Sequence, residues 1–211
     1  MPTKPDEISF DVYQPHPILL VITGVSGVGK DTVLKEIKAR KCPFHYLVTA
    51  TTRAPRPGEV EGEDYIFMQQ ADFVHQLEVG GFVEFTMVYD QYKGIPRWQI
   101  EGALASRKDV VMRVNVDGAL KVKQMYPDST ITVFLVPDSM EDWILRLKSR
   151  GSETDEQIAI RKTTAVREME MMDAFDYVVV NPQDQLQQAV DSILAIVDAE
   201  HHRLSRRSVN E

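Results

Sequence analysis

A chain of 211 residues with 43% hydrophobic side chains is long enough to bury a core, and its length fits one domain with small insertions. Its 32 acidic against 24 basic residues, net -8, exclude a general affinity for nucleic acid or an anionic membrane, so an anionic ligand needs a local basic cluster. The one cysteine, Cys42, can form no internal disulfide, the five histidines lack zinc spacing, and no apolar run approaches the ~20 residues of a spanning helix; a reducing, cytoplasmic setting is expected.

Residues 1–17 carry four prolines and neither the basic start nor the apolar stretch of a signal peptide, and they predict an extended arm. The run at 18–23 (Ile-Leu-Leu-Val-Ile-Thr) is continuously apolar and partly β-branched, the pattern of a strand buried on both faces. Glycines follow at once, and Val33, Leu34 and Ile37 then recur at helical spacing. Strand-like runs at 46–48, 110–116, 131–136 and 177–180 alternate with helical stretches at 139–148, 156–174 and 186–199, which predicts an α/β, doubly wound parallel sheet over 18–48 and 96–200. Between these two parts, residues 49–95 are rich in Pro, Gly and charge, with strand pieces at 65–68 and 82–88 around a helical piece at 71–79. They predict a small, partly antiparallel insertion at the carboxyl edge of the sheet, where such folds place ligands. Residues 150–155 (Arg-Gly-Ser-Glu-Thr-Asp) interrupt two helices as a lid, bounded at about 146–161, and 201–211 read as a polar, frayed tail.

The strand-to-helix junction carries the clearest chemistry. Gly24-Val25-Ser26-Gly27-Val28-Gly29-Lys30 satisfies G-x-x-x-x-G-K directly after a buried strand and before a helix. Glycines let backbone N–H groups turn inward to phosphate oxygens, the helix presents its positive end, and Lys30 reaches the β and γ phosphates. The next residue in this motif is ordinarily a Ser or Thr that holds magnesium; here it is Asp31, with Thr32 one place later. Asp31 has three open readings: a magnesium contact, repulsion of the triphosphate, or a favourable interaction with the helix dipole.

Residues 51–67 (Thr-Thr-Arg-Ala-Pro-Arg-Pro-Gly-Glu-Val-Glu-Gly-Glu-Asp-Tyr-Ile-Phe) crowd Arg53, Arg56 and Tyr65 into one stiffened loop. Two arginines there can form a planar, multi-donor phosphate clamp, with the Tyr65 hydroxyl as a further donor; a solvated surface loop would read the same.

This segment closely resembles the signature of guanylate kinases, T-T-R-x-P-R-x-G-E-x-x-G-x-D-Y-x-F, with every fixed position present, and the similarity runs collinearly from residue 18 to 199. The resemblance implies a P-loop nucleoside monophosphate kinase fold over 18–200, with a GMP-binding insertion, a lid that closes over ATP, and magnesium accompanying the donor. It implies that Arg53, Arg56 and Tyr65 hold the GMP phosphate, that Glu84 accepts the paired N–H donors of guanine, and that Thr49 contacts the base. Arg146, Arg150 and Arg161 fall on lid arginines that reach the transferring phosphates, and Asn181 stands beside adenine. Lys30, Arg53, Arg56, Arg150 and Arg161 are thereby the expected catalytic cations.

Four positions depart from the family. Tyr92-Lys93-Gly94-Ile95 places lysine and isoleucine where a phosphate-binding tyrosine and a base-contacting hydroxyl are usual; the Lys93 charge can still bind the GMP phosphate, whereas Ile95 cannot bond the base. In residues 112–118 Arg113 reverses an acidic position, and Asn115 replaces an aspartate while keeping an acceptor oxygen for a guanine N–H. Two alternatives follow: a kinase of another phosphorylated acceptor such as a ribose bisphosphate, and a non-catalytic module of this family that binds phosphopeptides. The complete 53–67 segment and Glu84 oppose the first, and the intact loop opposes the second. Oligomeric state is not legible in the chain.

Overall fold

The computed structural model describes residues 14–88, 91–149 and 155–208. Arg150, residues 151–154 of the predicted lid and residues 1–13 of the predicted arm lie outside the described residues.

Strand β1 (Gln14–Pro15) leads into β2 (Leu19–Gly24), whose six residues are all buried. The strand is apolar on both faces because it is covered on both faces. Leu19 and Val21 pack with α3 (Arg97–Ala105), β8 (Val110–Arg113) and α4 (Val116–Met125). Leu20 and Ile22 pack with α1 (Lys30–Ala39), α5 (Met140–Ser149) and α7 (Leu186–His201). With β3 (His45–Tyr46), β9 (Thr130–Pro137) and β10 (Tyr177–Asn181), these strands form a parallel sheet in the order β10-β9-β2-β8-β3. A parallel order with crossing helices directs every strand's carboxyl end to one edge, which gathers the loops that bind ligand.

A second sheet, order β5-β4-β7-β6, is built from β4 (Ala50–Thr51), β5 (Ile66–Phe67), β6 (Phe82–Val88) and β7 (Gln91–Pro96), with α2 (Gln70–Glu78) against it. Its β4–β5 pair is parallel, while β7 runs antiparallel to both β4 and β6. Its small core is aromatic: Phe73 of α2 stacks on Phe82 at 4.1 Å and on Tyr92 at 5.2 Å between ring centres. α6 (Asp155–Glu170) and a 3-10 turn at Met172–Ala174 precede β10. Among the described residues, no helix is long and apolar enough to cross a membrane.

Two expectations are corrected. The strand predicted over 110–116 stops at Arg113, because Asn115 caps α4 and its Oδ1 accepts the Gly118 N–H at 2.7 Å. Asparagine is among the strongest N-cap residues, so Val116, which follows the cap, opens a helix instead of ending a strand. The tail predicted to fray from residue 201 is instead tied down through residue 208: after a 3-10 turn (Leu204–Arg206), β11 (Arg207–Ser208) pairs antiparallel with β1. The tie is electrostatic. Arg206 pairs with the buried Glu200 at 2.6 Å and donates to the carbonyls of Asp128 and Thr130. Glu200 also takes Arg203 at 3.0 Å and the Tyr177 hydroxyl.

Candidate active site

The phosphate loop sits at the carboxyl end of β2. Gly24, φ 134°, passes so close to β9 that a Cβ there would come within 2.2 Å of the Leu135 carbonyl oxygen, so no other residue fits the turn. Lys30 folds over the loop, its Nζ donating to the carbonyls of Gly24 at 2.6 Å and Val25 at 3.1 Å. Val25 and Val28 are buried beneath.

Residues far along the chain brace this loop. The Ser26 N–H donates to the Glu168 carboxylate at 2.9 Å, its carbonyl accepts from the Trp143 indole at 2.8 Å, and its hydroxyl accepts from Arg161 at 2.6 Å. The Val28 carbonyl accepts from the Asn181 amide at 2.8 Å and from Arg146 at 3.3 Å. Arg146 also donates to the Asn181 carbonyl at 2.7 Å and to Gln183 at 2.8 Å. The structure thus brings Lys30, Arg146, Arg161 and Asn181 together at the loop. Asn181 is buried with its amide turned to the loop, where it braces the Val28 carbonyl. Sequence reasoning missed Trp143 and Glu168, and no local pattern marks either, because each meets Ser26 across more than a hundred residues.

Asp31 and Thr32 stand exposed on the first turn of α1. Among the described residues, no group of three or more His, Cys, Asp or Glu side chains could hold a metal ion. A single exposed carboxylate beside the loop fits the way magnesium is held in nucleotide sites, where phosphate oxygens and waters complete the shell. Asp31 does not stand alone: it forms an ion pair with Arg113, at the end of the neighbouring strand β8.

Beyond Arg113 opens a cavity of about 430 Å³ between the two sheets, lined by Thr49, Glu84, Lys93, Asn115 and Arg113 over an apolar floor that includes Leu34, Val111, Met112 and Ile95. Four predicted acceptor residues therefore face one cavity. Burial pushes the Glu84 carboxyl above the usual range, and the charges of Lys121 and Arg113 pull it back. Its carboxyl carbon lies 3.3 Å from where a Cβ on Gly118 would be, so the bare first turn of α4 makes room for it. The Asn115 acceptor oxygen, expected to meet a guanine N–H, is engaged with Gly118.

Arg53, Arg56 and Tyr65 do not line this cavity; they form its neighbour. Arg53 lies over the Tyr65 ring at 4.7 Å, and Lys93 lies over the same ring at 5.6 Å, which links clamp to cavity. Glu59 holds the clamp: it takes Arg53 bidentately at 2.7 and 2.5 Å and the Arg56 N–H at 2.7 Å. Those bonds, the Arg53 one first, hold the Glu59 carboxyl down at about 2. The Arg56 side chain is exposed.

Comparison with known proteins points one way. The family model described as guanylate kinase matches residues 16–200. The chain is 42% identical over 196 residues to guanylate kinase 2, chloroplastic/mitochondrial, of Oryza sativa subsp. japonica, covering 93% of this chain and 69% of that one. It is 39% identical over 189 residues to the guanylate kinase of Oceanobacillus iheyensis, covering 90% of each. The crystal structure of guanylate kinase from Anaplasma phagocytophilum superposes with a TM-score of 0.67 at 26% identity, over 92% of each chain.

Proposed function

The chain belongs to the guanylate kinase family, and on that premise we propose that it transfers the γ-phosphoryl group of ATP to GMP, with dGMP as a second acceptor. One observation carries this reading: the Asp31–Arg113 contact makes the phosphate loop and the Glu84 cavity adjoin, so a donor and an acceptor seated in them meet. An oxygen of the acceptor phosphate attacks the γ phosphorus in line, the bond from that phosphorus to the β-bridging oxygen breaks, and ADP leaves. The acceptor phosphate is largely a dianion at neutral pH, so no general base is required. The chain's work is placement and positive charge.

Lys30 sits where it can follow charge from the γ phosphate to the leaving oxygen, and Arg161, already on Ser26, stands over the same loop. Arg53, Arg56 and Tyr65 take the acceptor phosphate, Arg146 and Asn181 hold the loop on the ATP side, and Glu84 accepts the N1–H and N2–H of guanine, a donor pair that adenine lacks. Magnesium arriving with ATP would supply positive charge at its phosphates, and Asp31 is the side chain that would hold it. Exclusion of water from the two seated nucleotides limits idle hydrolysis. A coupled assay with ATP against GMP, dGMP, AMP, UMP and ribose bisphosphate tests the reading. Turnover confined to GMP and dGMP supports it, and failure to phosphorylate GMP removes it.

A further inference from the structure

Two residues that depart from their motifs, Asp31 after the loop lysine and Arg113 at the end of β8, are each other's partner. Asp31 stands on the donor side, next to Lys30 at the start of α1. Arg113 faces the acceptor side, lining the cavity with Glu84 and Lys93. The pair therefore bridges the two places where nucleotides bind. It is also weakly held: the side chains of Asp31 and Arg113 are 65% and 49% exposed, and an ion pair that open biases its partners by at most about fivefold. A divalent cation with a triphosphate, or a phosphate dianion that can take a guanidinium bidentately, outcompetes such a pair.

We propose that this ion pair couples the two nucleotide sites: held to each other as they stand, Asp31 and Arg113 exchange partners when magnesium–ATP is seated, Asp31 turning to the metal–phosphate group and Arg113 to the phosphate of the acceptor. The inference rests on the guanylate kinase reading of the cavity. Each new contact requires the old one to break, so whatever draws Asp31 away frees Arg113, and the effect is reciprocal between the sites. The chain thereby uses two substitutions as one device. Asp31 alone would set a carboxylate against the triphosphate, and Arg113 alone would leave an unpaired cation at the cavity wall; paired, each is neutralised until a ligand replaces its partner. A static brace between α1 and β8 would also explain the contact, and it makes the opposite prediction for binding.

The test is calorimetric titration of GMP into the full chain, with and without a saturating non-hydrolysable ATP analogue and magnesium, for the unmodified protein, Asp31→Asn and Arg113→Met. In the unmodified protein the analogue tightens GMP binding. Asp31→Asn binds GMP more tightly than the unmodified protein with no analogue present, by up to about fivefold, and the increment from the analogue shrinks by the same factor. Arg113→Met binds GMP weakly in both conditions, and its increment from the analogue shrinks likewise. Coupling that does not pass through the pair is common to all three proteins and cancels in the comparison. Asp31→Asn with unchanged GMP affinity and unchanged increment makes the pair a static brace and overturns the proposal; should Asp31→Asn lose the analogue altogether, its GMP affinity alone still decides. Absence of GMP binding in every arm instead removes the functional reading itself.

Discussion

The phosphate loop and the acceptor side are held in different ways. Around the loop, Trp143, Glu168, Arg161, Arg146 and Asn181 grip Ser26 and Val28, four of the five bonds through backbone atoms. On the acceptor side the charged groups are committed to the chain's own carboxylates, Arg53 to Glu59 and Arg113 to Asp31. A preorganised cradle loses little by reorganising as charge moves, whereas an acceptor site made of ion pairs reshuffles as its ligand arrives. Substitutions at the loop should therefore alter ATP handling and stability together, and substitutions at the cavity should alter acceptor use with the fold intact.

The largest effect is expected at the loop lysine. Lys30→Met should lower kcat by about a thousandfold, the scale for removing a cation from a transferring phosphate, while calorimetry shows GMP affinity unchanged. A loss under about tenfold would place Lys30 away from the reacting group. Next comes Glu84→Gln, which should weaken discrimination of GMP against AMP by about 1 to 3 kcal/mol in relative kcat/KM, with the melting temperature little changed. It also carries a pH signature. Glu84 must be ionised to accept the guanine donors, and burial raises its pKa, so kcat/KM for GMP falls as pH drops through that raised value; the Gln variant lacks this limb. For stability the sign is opposite: the contribution of Glu84 is complete below the pKa of the unfolded carboxylate and is lost as pH rises through the raised folded value. Smaller still, Asn181→Ala should cost about 1 kcal/mol in denaturant unfolding, at the low end for a lost buried donor because Arg146 still reaches the Val28 carbonyl. It should raise KM for ATP and leave KM for GMP alone. A change confined to GMP would break the distinction between the two regions.

What the sequence disclosed follows the range of each interaction. The loop, its strand and its helix occupy neighbouring residues with fixed glycine and lysine spacing, so their chemistry is written locally. The Arg53–Tyr65 segment is equally compact. Asn115 shows a local signal misread: the β-type run of 110–116 suggested a strand, but the cap and the helix behind it prevailed. Glu200 carries no local mark in the sequence, and Arg203, Arg206 and Tyr177 converge on it to make it the buried centre of the tail. Trp143 and Glu168 at the loop, and Arg113 against Asp31, depend on how the sheet brings distant segments together. No window of residues contains those contacts.

The finest test of the contrast is a methyl group. Gly118 lies in the first turn of α4, and its φ is ordinary for any residue, so alanine there should leave the helix as stable or stabilise it by up to about 1 kcal/mol. The added Cβ would stand 3.1 Å from Asn115 Oδ1, 3.2 Å from Val114 Cβ and 3.3 Å from the Glu84 carboxyl carbon. Backbone and cap are fixed by the 2.7 Å bond from Gly118 to Asn115, which leaves the Glu84 side chain as the group that gives way. A carboxylate shifted by a few tenths of an ångström still accepts hydrogen bonds, but with poorer alignment to two donors at once, so Gly118→Ala should raise KM for GMP by about three- to tenfold. KM for ATP and the melting temperature should not fall. Stability and acceptor binding would then move in opposite directions from one substitution, a result expected of a cavity whose shape serves its ligand rather than the fold. Parallel losses in stability, ATP use and GMP use would instead mean that α4 and the loop respond as one body.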